Sequence, residues 1–514
     1  MTADRGTRFP QPLDVVAVML MLLLGLLIGL TLWGGEQAAP RIKDFSWQER
    51  QVGAEDIAFV LHFSRPMEHD TVEANLTINP SLPGKVSWAG RRMAYTLTQP
   101  APYGTAYEVR LQGARDSFKR MGRRPAMEPF VGRFRSRDRA FAYIGIDGDE
   151  QGRLILYNLT QQKKQVLTPK NLVVMNFDAF PKSDRILFSA YDRQPNNPQA
   201  MLDQRLYSVT TGIQVQSPQQ PSEQTYDFLG RPLQPVSPPT RSLGELQQIL
   251  DSKDYQNLKF DLAPDGKTLV VQRISRRNSA DSGPWIVKLD EIGNVLGAPT
   301  PLKSQGGDFL ITPDSNSLAI AQGEGMAILP LQPDTKALDF LPKFGMVLNF
   351  SGDGSQAAMV KFNKDYTRSL FLVTTQGVQK ELLRITGSIL DAQFDPQNQT
   401  LYCLLTRLIP GETYQEQPFI AIVDLKTAKV TPWLVLPNQR DIEMHLAPDG
   451  LALLFDQLVS AKDNPKTGPR NSSGEVIATS RLWLLPIANA DPAVQARVQP
   501  EELPLPGFHP RWLP

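Results

Sequence analysis

Short apolar runs alternate with clusters of turn-forming residues along almost the whole chain, with one exception near its start. From Val15 to Trp33, 19 consecutive residues carry no charge. As a helix rising 1.5 Å per residue they span roughly 28 Å, close to the thickness of a bilayer core. The pattern predicts an uncleaved transmembrane signal anchor over residues 13–35 behind a cytoplasmic tail of residues 1–12, because 34–40 offers only a poor small-x-small cleavage site. Arg5 and Arg8 before the span nearly balance Arg41 and Lys43 after it. The short first tail therefore sets the expected orientation, with the bulk of the chain on the periplasmic or extracytoplasmic side of a bacterial plasma membrane. The membrane is then a partner through residues 15–33, and Gly25 and Gly29 supply a GxxxG spacing for close approach of two such helices.

Residues 41–136 read differently. Runs rich in β-branched and aromatic residues at 58–63, 86–88, 93–97 and 107–111 recur between turn signals, the pattern of a β-sandwich. The segments Phe63-Ser64-Arg65-Pro66-Met67, Leu76-Thr77-Ile78-Asn79-Pro80, Tyr103-Gly104-Thr105-Ala106-Tyr107 and Gly132-Arg133-Phe134 resemble the bacterial Ig-like domain of the SbsA (S-layer) type. That resemblance implies a spacer or adhesive module without a catalytic site. The same region holds a basic patch led by Arg115, Lys119, Arg120, Arg123 and Arg124, opposed only by Asp116 and Glu128. Beside a membrane such a patch attracts anionic lipid or an acidic polymer; equally, basic residues on a strand edge discourage edge-to-edge pairing.

Beyond residue 139 the strongest signal is an internal repeat. An apolar strand runs into a Pro-Asp-Gly-like turn and a second apolar strand at Phe260–Gly266, Phe309–Ser315, Phe350–Gly354 and Met444–Gly450, with degenerate copies at 177–184 and 394–398. Proline presets one turn dihedral, aspartate caps its own backbone, and glycine or asparagine takes the positive φ. Each copy is followed by a further apolar strand, at 206–209, 285–289, 326–329, 370–373, 419–423 and 482–485, and one more at 154–157 precedes them all. The turn aspartates Asp265, Asp314 and Asp353 lie 49 and 39 residues apart, the length of a four-stranded propeller blade. The repeats resemble those of TolB-type propellers. Counting third strands gives seven blades, with six as the alternative if the first unit is incomplete. The C-terminal Gly507–Trp512 looks like the opening strand that the first blade lacks, and its pairing there would close the ring. The expected fold class is all-β: an N-terminal transmembrane helix, an Ig-like β-sandwich over 41–136, and a propeller over 139–514.

In a four-stranded blade the chain reverses at every turn, so loops between second and third strands gather on the face opposite the Pro-Asp-Gly turns. Inserts at 191–204, 273–284, 363–369, 407–418 and 458–479 fit that position. Their cations and rings, Arg273, Arg276, Arg277, Asn278, Tyr366, Arg368, Arg407 and Tyr414, are the candidate binding residues, since loops held by a rigid scaffold carry recognition. The same composition suits plain surface loops. A Pro/Gln-rich insertion at 218–242 reads as an extended arm, and Ser242-Leu243-Gly244-Glu245 supplies a capping box for a short helix through about Leu250.

Composition removes several classes of function. The charges nearly cancel, 54 Lys+Arg against 53 Asp+Glu, so no nucleic-acid partner is expected. The lone Cys403 and the scattered His62, His69, His445 and His509 give no metal-ligand spacing, and no cofactor is expected. No Gly-x-Ser-x-Gly elbow, Walker loop or His-Glu-x-x-His occurs, and Asp147–Gly152 reads as a blade turn rather than a calcium loop. The sequence therefore predicts a non-enzymatic, membrane-anchored envelope protein whose propeller binds a protein or envelope polymer. Two alternatives stand beside it: a propeller enzyme acting on glycans or peptides, marked by clustered acids at the channel mouth, and a purely structural envelope component.

Overall fold

The structure, a computed structural model, describes residues 12–35, 39–118, 124–194, 197–213, 242–304, 306–323, 325–332, 338–411, 414–439, 441–460, 476–487 and 498–514. The Pro/Gln-rich insertion at 218–242 lies outside them except for Ser242, as do residues 1–11, Lys119, Arg120 and Arg123. The chain divides into two units, the first formed by 1–49, 58–96 and 107–133, the second by 50–57, 97–106 and 134–514.

The expected membrane anchor is corrected by the structure. Among the described residues no helix is long and apolar enough to cross a membrane. The N-terminal apolar run is helical over Pro12–Gly35. The transmembrane segment, the membrane as partner through residues 15–33 and the single-pass plasma-membrane location are withdrawn with it.

The region 41–136 forms two four-stranded sheets, as its alternating pattern predicts. One is ordered Ile42–Phe45, Ala58–Phe63, Arg92–Leu97, Gly84–Ala89, and the other Gln51–Val52, Phe130–Ser136, Ala106–Leu111, Leu76–Asn79. Buried and open positions alternate along Ala58–Phe63, and the first unit's core is aromatic, with Phe59 stacked on Tyr95 at 5.1 Å and edge-on to Phe45 at 5.3 Å. The helix His69–Asn75, which the sequence reading did not anticipate, buries Val72. Of the basic patch, Arg124 pairs with Glu68, and the backbone N–H of Arg115 donates to Thr71 Oγ1 at 3.0 Å.

Among the described residues, the remaining strands make seven four-stranded antiparallel sheets. Blade one joins Ala140–Gly145, Leu154–Asn158 and Lys163–Val166 to the C-terminal Gly507–Trp512; blades two to seven span 172–250, 255–301, 309–341, 346–385, 389–435 and 444–503. Seven blades is therefore the count, and the chain's last strand opens its first sheet, pairing Phe508 with Ile144 and Trp512 with Phe141. Seven apolar clusters tie consecutive blades, from Phe177 and Phe188 between blades one and two round to Tyr143, Trp512 and Leu454 between blades one and seven; the other five fill the intervening seams. Each fully buried Phe or Leu in such a seam contributes roughly 1.5–3 kcal/mol, so a single non-local closure is held by many side chains.

The turns behave as their residues require. Gly266, Gly354 and Gly450 sit at φ +67, +70 and +74, each donating its N–H to the carbonyl three residues back. Where the turn lacks glycine the same left-handed position is filled by Ser183, Ser315 and Asn398 at φ 56, 60 and 56. Asp265, Asp353 and Asp449 each accept the backbone N–H two residues on, at 2.7, 3.0 and 3.1 Å. Asp147–Gly152 is a blade turn as expected, containing one turn of 3-10 helix between the second and third strands of blade one. The helix expected through Leu250 is corrected. Ser242 Oγ does donate to Glu245, but Leu246–Leu250 pairs with Leu206–Val209 as the outer strand of blade two. A vacant sheet edge overrides the local cap.

Candidate functional site

The five expected inserts fall between second and third strands, with 461–475 of the last outside the described residues; three of the others are short hairpin tips, and Arg273, Arg368 and Arg407 lie inside strands. Arg273 is a correction to the binding set. It is 6% exposed, its guanidinium lies 4.7 Å from the Tyr255 ring and 5.2 Å from that of Trp285, and its Nε donates to Asn257 Oδ1 at 3.2 Å. Burial holds its pKa below the usual arginine value. A cation stacked between two rings is a packing element of blade three. Arg276 reaches back toward blade two, donating to Ser252 O at 2.6 Å and Leu202 O at 3.1 Å. Arg277 pairs with Asp254 at 3.2 Å in open solvent, and Asn278 Oδ1 caps its own turn through the N–H of Ala280 at 3.1 Å.

Tyr366, Arg368, Arg407 and Tyr414 form a second group, on blades five and six. Arg368 Nη1 donates to Gly387 O at 2.8 Å, on the connection between the two blades. Glu416 accepts from Thr406 Oγ1 at 2.6 Å, from Ser388 Oγ at 3.2 Å and from the Tyr414 hydroxyl. Arg407 Nη2 donates to Gln417 Oε1 at 2.8 Å. Tyr366 tops the neighbouring hairpin at φ 64 with 92% of its surface in solvent. Its tip is braced by Asn363, whose amide donates to Thr367 Oγ1 at 3.1 Å and Ser369 Oγ at 2.9 Å, and by the Asp365–Arg384 ion pair. Phe362 and Leu408, also exposed, end the strands on either side. The rim is thus a hydrogen-bonded frame presenting two tyrosines and several cations.

A third feature was not anticipated. On the inner strands, the residue paired to the second strand just before the turn is Asp178, Asp261, Leu310, Asn349, Gln393, His445 or Arg511, according to blade. All are partly exposed, whereas their neighbours Phe177, Phe260, Phe309, Ala392, Met444, Leu446 and Trp512 are buried in the seams. They ring the interior. Arg511 is the hub: it lies 3.6 Å from Asp178, and its charge bears on Asp261, Asp391, Glu443 and His445, from three other blades.

Most polar atoms of this girdle stitch adjacent blades. Asp261 Oδ2 accepts the N–H of Ile311 at 2.6 Å; Gln393 accepts from Leu446 N at 2.7 Å and donates to Met444 O at 2.7 Å. His509 Nδ1 lies 2.6 Å from Glu443 Oε1, and Asp456 accepts the N–H groups of His509 at 2.7 Å and Glu443 at 2.8 Å. Burial, with Asp178 nearby, pushes Asp261 up to about 7; burial, with Glu443 nearby, pushes Asp391 to about 6 and Asp456 to about 8. Burial and then the charges of Arg511 and His509 press His445 down to about 3. Burial alone would raise Glu443, but the charge and hydrogen bond of His509, followed by Arg511, leave it lowered. Among the described residues no group of three or more His, Cys, Asp or Glu is arranged to hold a metal ion.

No family model and no curated protein matches the chain, so the likeness of residues 41–136 to SbsA-type domains rests on sequence alone. Solved structures do match. TolB from Acinetobacter baumannii is similar over 93% of this chain and 100% of its own, at 10% identity and a TM-score of 0.38. A protein described as a candidate 6-phosphogluconolactonase from Bacteroides fragilis is similar over 73% of this chain and 98% of its own, at 12% identity and a TM-score of 0.41. Puromycin hydrolase is similar over 74% of this chain and 59% of its own, at 13% identity and a TM-score of 0.37. Similarity at this level carries nothing about activity.

Proposed function

We propose that this chain is a non-catalytic recognition propeller that binds a protein partner through the rim of blades five and six. Tyr366 carries the reading. A non-glycine residue at φ 64 costs about 1–2 kcal/mol, and here that cost holds an aromatic ring out in water on a braced hairpin. Backbone strain at an exposed aromatic is a mark of a binding position, and Tyr with Arg is the chemistry of interface hot spots. The described rim segments, with Arg384 beside them, carry Lys361, Lys364, Arg368, Arg384 and Arg407 against Asp365 and Glu416, so the partner surface they suit is acidic. Replacing Tyr366 by Ala is expected to weaken partner binding at least tenfold with thermal unfolding unchanged. Unaltered binding by that variant would overturn the reading, and retrieval of an anionic polymer instead of a protein would reassign the partner.

A second reading, an enzyme acting on glycans or peptides in the channel, has one observation in its favour. Asp261 and Asp391, with pKa values pushed to about 7 and about 6, have the acidity of general acids. The recognition reading is preferred because these carboxyls already accept hydrogen bonds that hold strands, Asp261 from Ile311 and Asp391 from Ala392 at 2.8 Å and from Gln393 at 2.6 Å. Turnover of a glycan or peptide that D261N or D391N abolishes would reverse the preference.

A further inference from the structure

The C-terminal strand Gly507–Trp512 is the only part of blade one supplied from the far end of the chain, so ring integrity depends on how firmly it is held. Its backbone pairs with Ala140–Gly145 on one side. On the blade-seven side its polar anchors are ionisable. Asp456 accepts the N–H of His509, Glu443 meets the His509 ring, and His445 Nδ1 accepts the N–H of Trp512 at 3.3 Å. Toward blade two, Arg511 faces Asp178, and Pro514 O accepts from Ser183 Oγ at 2.7 Å.

The strand also carries local costs. His509 lies at φ 55, in the left-handed region. The buried His509 Nε2 and Trp512 Nε1 have no hydrogen-bond partner among the described residues. Each such feature costs stability, and all three fall on six residues. These costs make the strand a candidate for local release while the six other sheets stay intact.

We infer that the C-terminal strand is a proton-controlled latch, in which the contact of Asp456 and Glu443 with His509 holds the ring shut when Asp456 is protonated and loosens as it ionises. Asp456 and Glu443 lie on adjacent segments of blade seven, the Glu443 N–H donating to Asp456 Oδ1, so two full negative charges there repel. Arg511 is the cation there, the His509 and His445 rings face the same cluster, and Asp178 and Asp391 add negative charge from blades two and six. The closed ring lifts the Asp456 pKa to about 8, against an ordinary value of about 3.9 in a freed strand. A group bound more tightly to its proton in the closed form favours closure most at low pH, loses that contribution as pH rises, and levels off beyond the closed-state value. His445, held neutral down to about 3, opposes this trend only below its ordinary value of about 6.5. The window in which Asp456 governs is therefore about pH 6.5 to 8.

Amide hydrogen exchange of the full chain across pH 6 to 9, corrected for intrinsic exchange chemistry, tests this. Protection of residues 507–512 is expected to fall by up to about tenfold per pH unit between 6.5 and 8 and then flatten, while residues 317–322 of blade four, which carry no titratable side chain, keep constant protection. In E443Q the fall should shift to lower pH, since the neighbouring charge that raises Asp456 is gone; in D456N it should vanish. Parallel behaviour of the two strands in the native chain, or an unshifted profile in E443Q, overturns the latch. The wild-type comparison stands even where D456N fails to fold.

Discussion

Arg273 and Tyr366 have similar credentials in the sequence and opposite roles in the molecule. Arg273 is sandwiched by Tyr255 and Trp285, residues 18 before it and 12 after it, and no local pattern reports that meeting. Arg273→Ala is expected to destabilise the chain by about 2–3 kcal/mol in chemical denaturation, through lost stacking and packing. Arg273→Lys should recover little, because an ammonium does not stack as a guanidinium does. Tyr366 makes the reverse prediction. Tyr366→Gly should raise stability by about 1 kcal/mol by relieving the left-handed backbone while abolishing partner binding, a gain in unfolding midpoint coupled to a loss of function. A simultaneous loss of stability would show that the ring packs rather than presents.

At the scale of elements, what the sequence made legible was local chemistry. The turns at Asp265-Gly266, Asp353-Gly354 and Asp449-Gly450 are set by three or four residues, so their strands, spacing and blade boundaries could be read directly. Gly266→Ala tests this: the substitution meets both a φ of +67 and Pro181 Cδ at 2.9 Å from the added carbon, and should cost about 1–2 kcal/mol in denaturation. What escaped was decided by tertiary partners. The capping pair Ser242 and Glu245 forms, yet Leu246–Leu250 becomes a strand because blade two offers an unpaired edge. The inner girdle of Asp178, Asp261, Gln393, His445 and Arg511 was illegible because each residue is an ordinary polar position of an alternating strand. Only aligning the repeats on their turns places them at one level of the ring.

At the scale of the molecule, closure joins the last strand to the first sheet and completes two of the seven seams. Truncation after residue 506 leaves Ala140–Gly145 with an open edge and strips Phe508, Trp512 and Leu513 from the apolar clusters. The shortened chain is expected to aggregate and to lose its cooperative unfolding transition in calorimetry, since an open edge invites pairing between chains; a monomer with an unchanged transition would contradict the closure argument. The closed ring fixes the rim of blades five and six, and the account's central claim is that this rim recognises a protein. Its most direct test is a photo-crosslinking amino acid placed at Tyr366, compared with one at Leu296, an exposed position on the outer strand of blade three. The account predicts one defined protein adduct from position 366, absent from position 296 and lost when Arg368 and Tyr414 are replaced by Ala. Equal adducts from both positions, or adducts from 366 that survive those replacements, would contradict it.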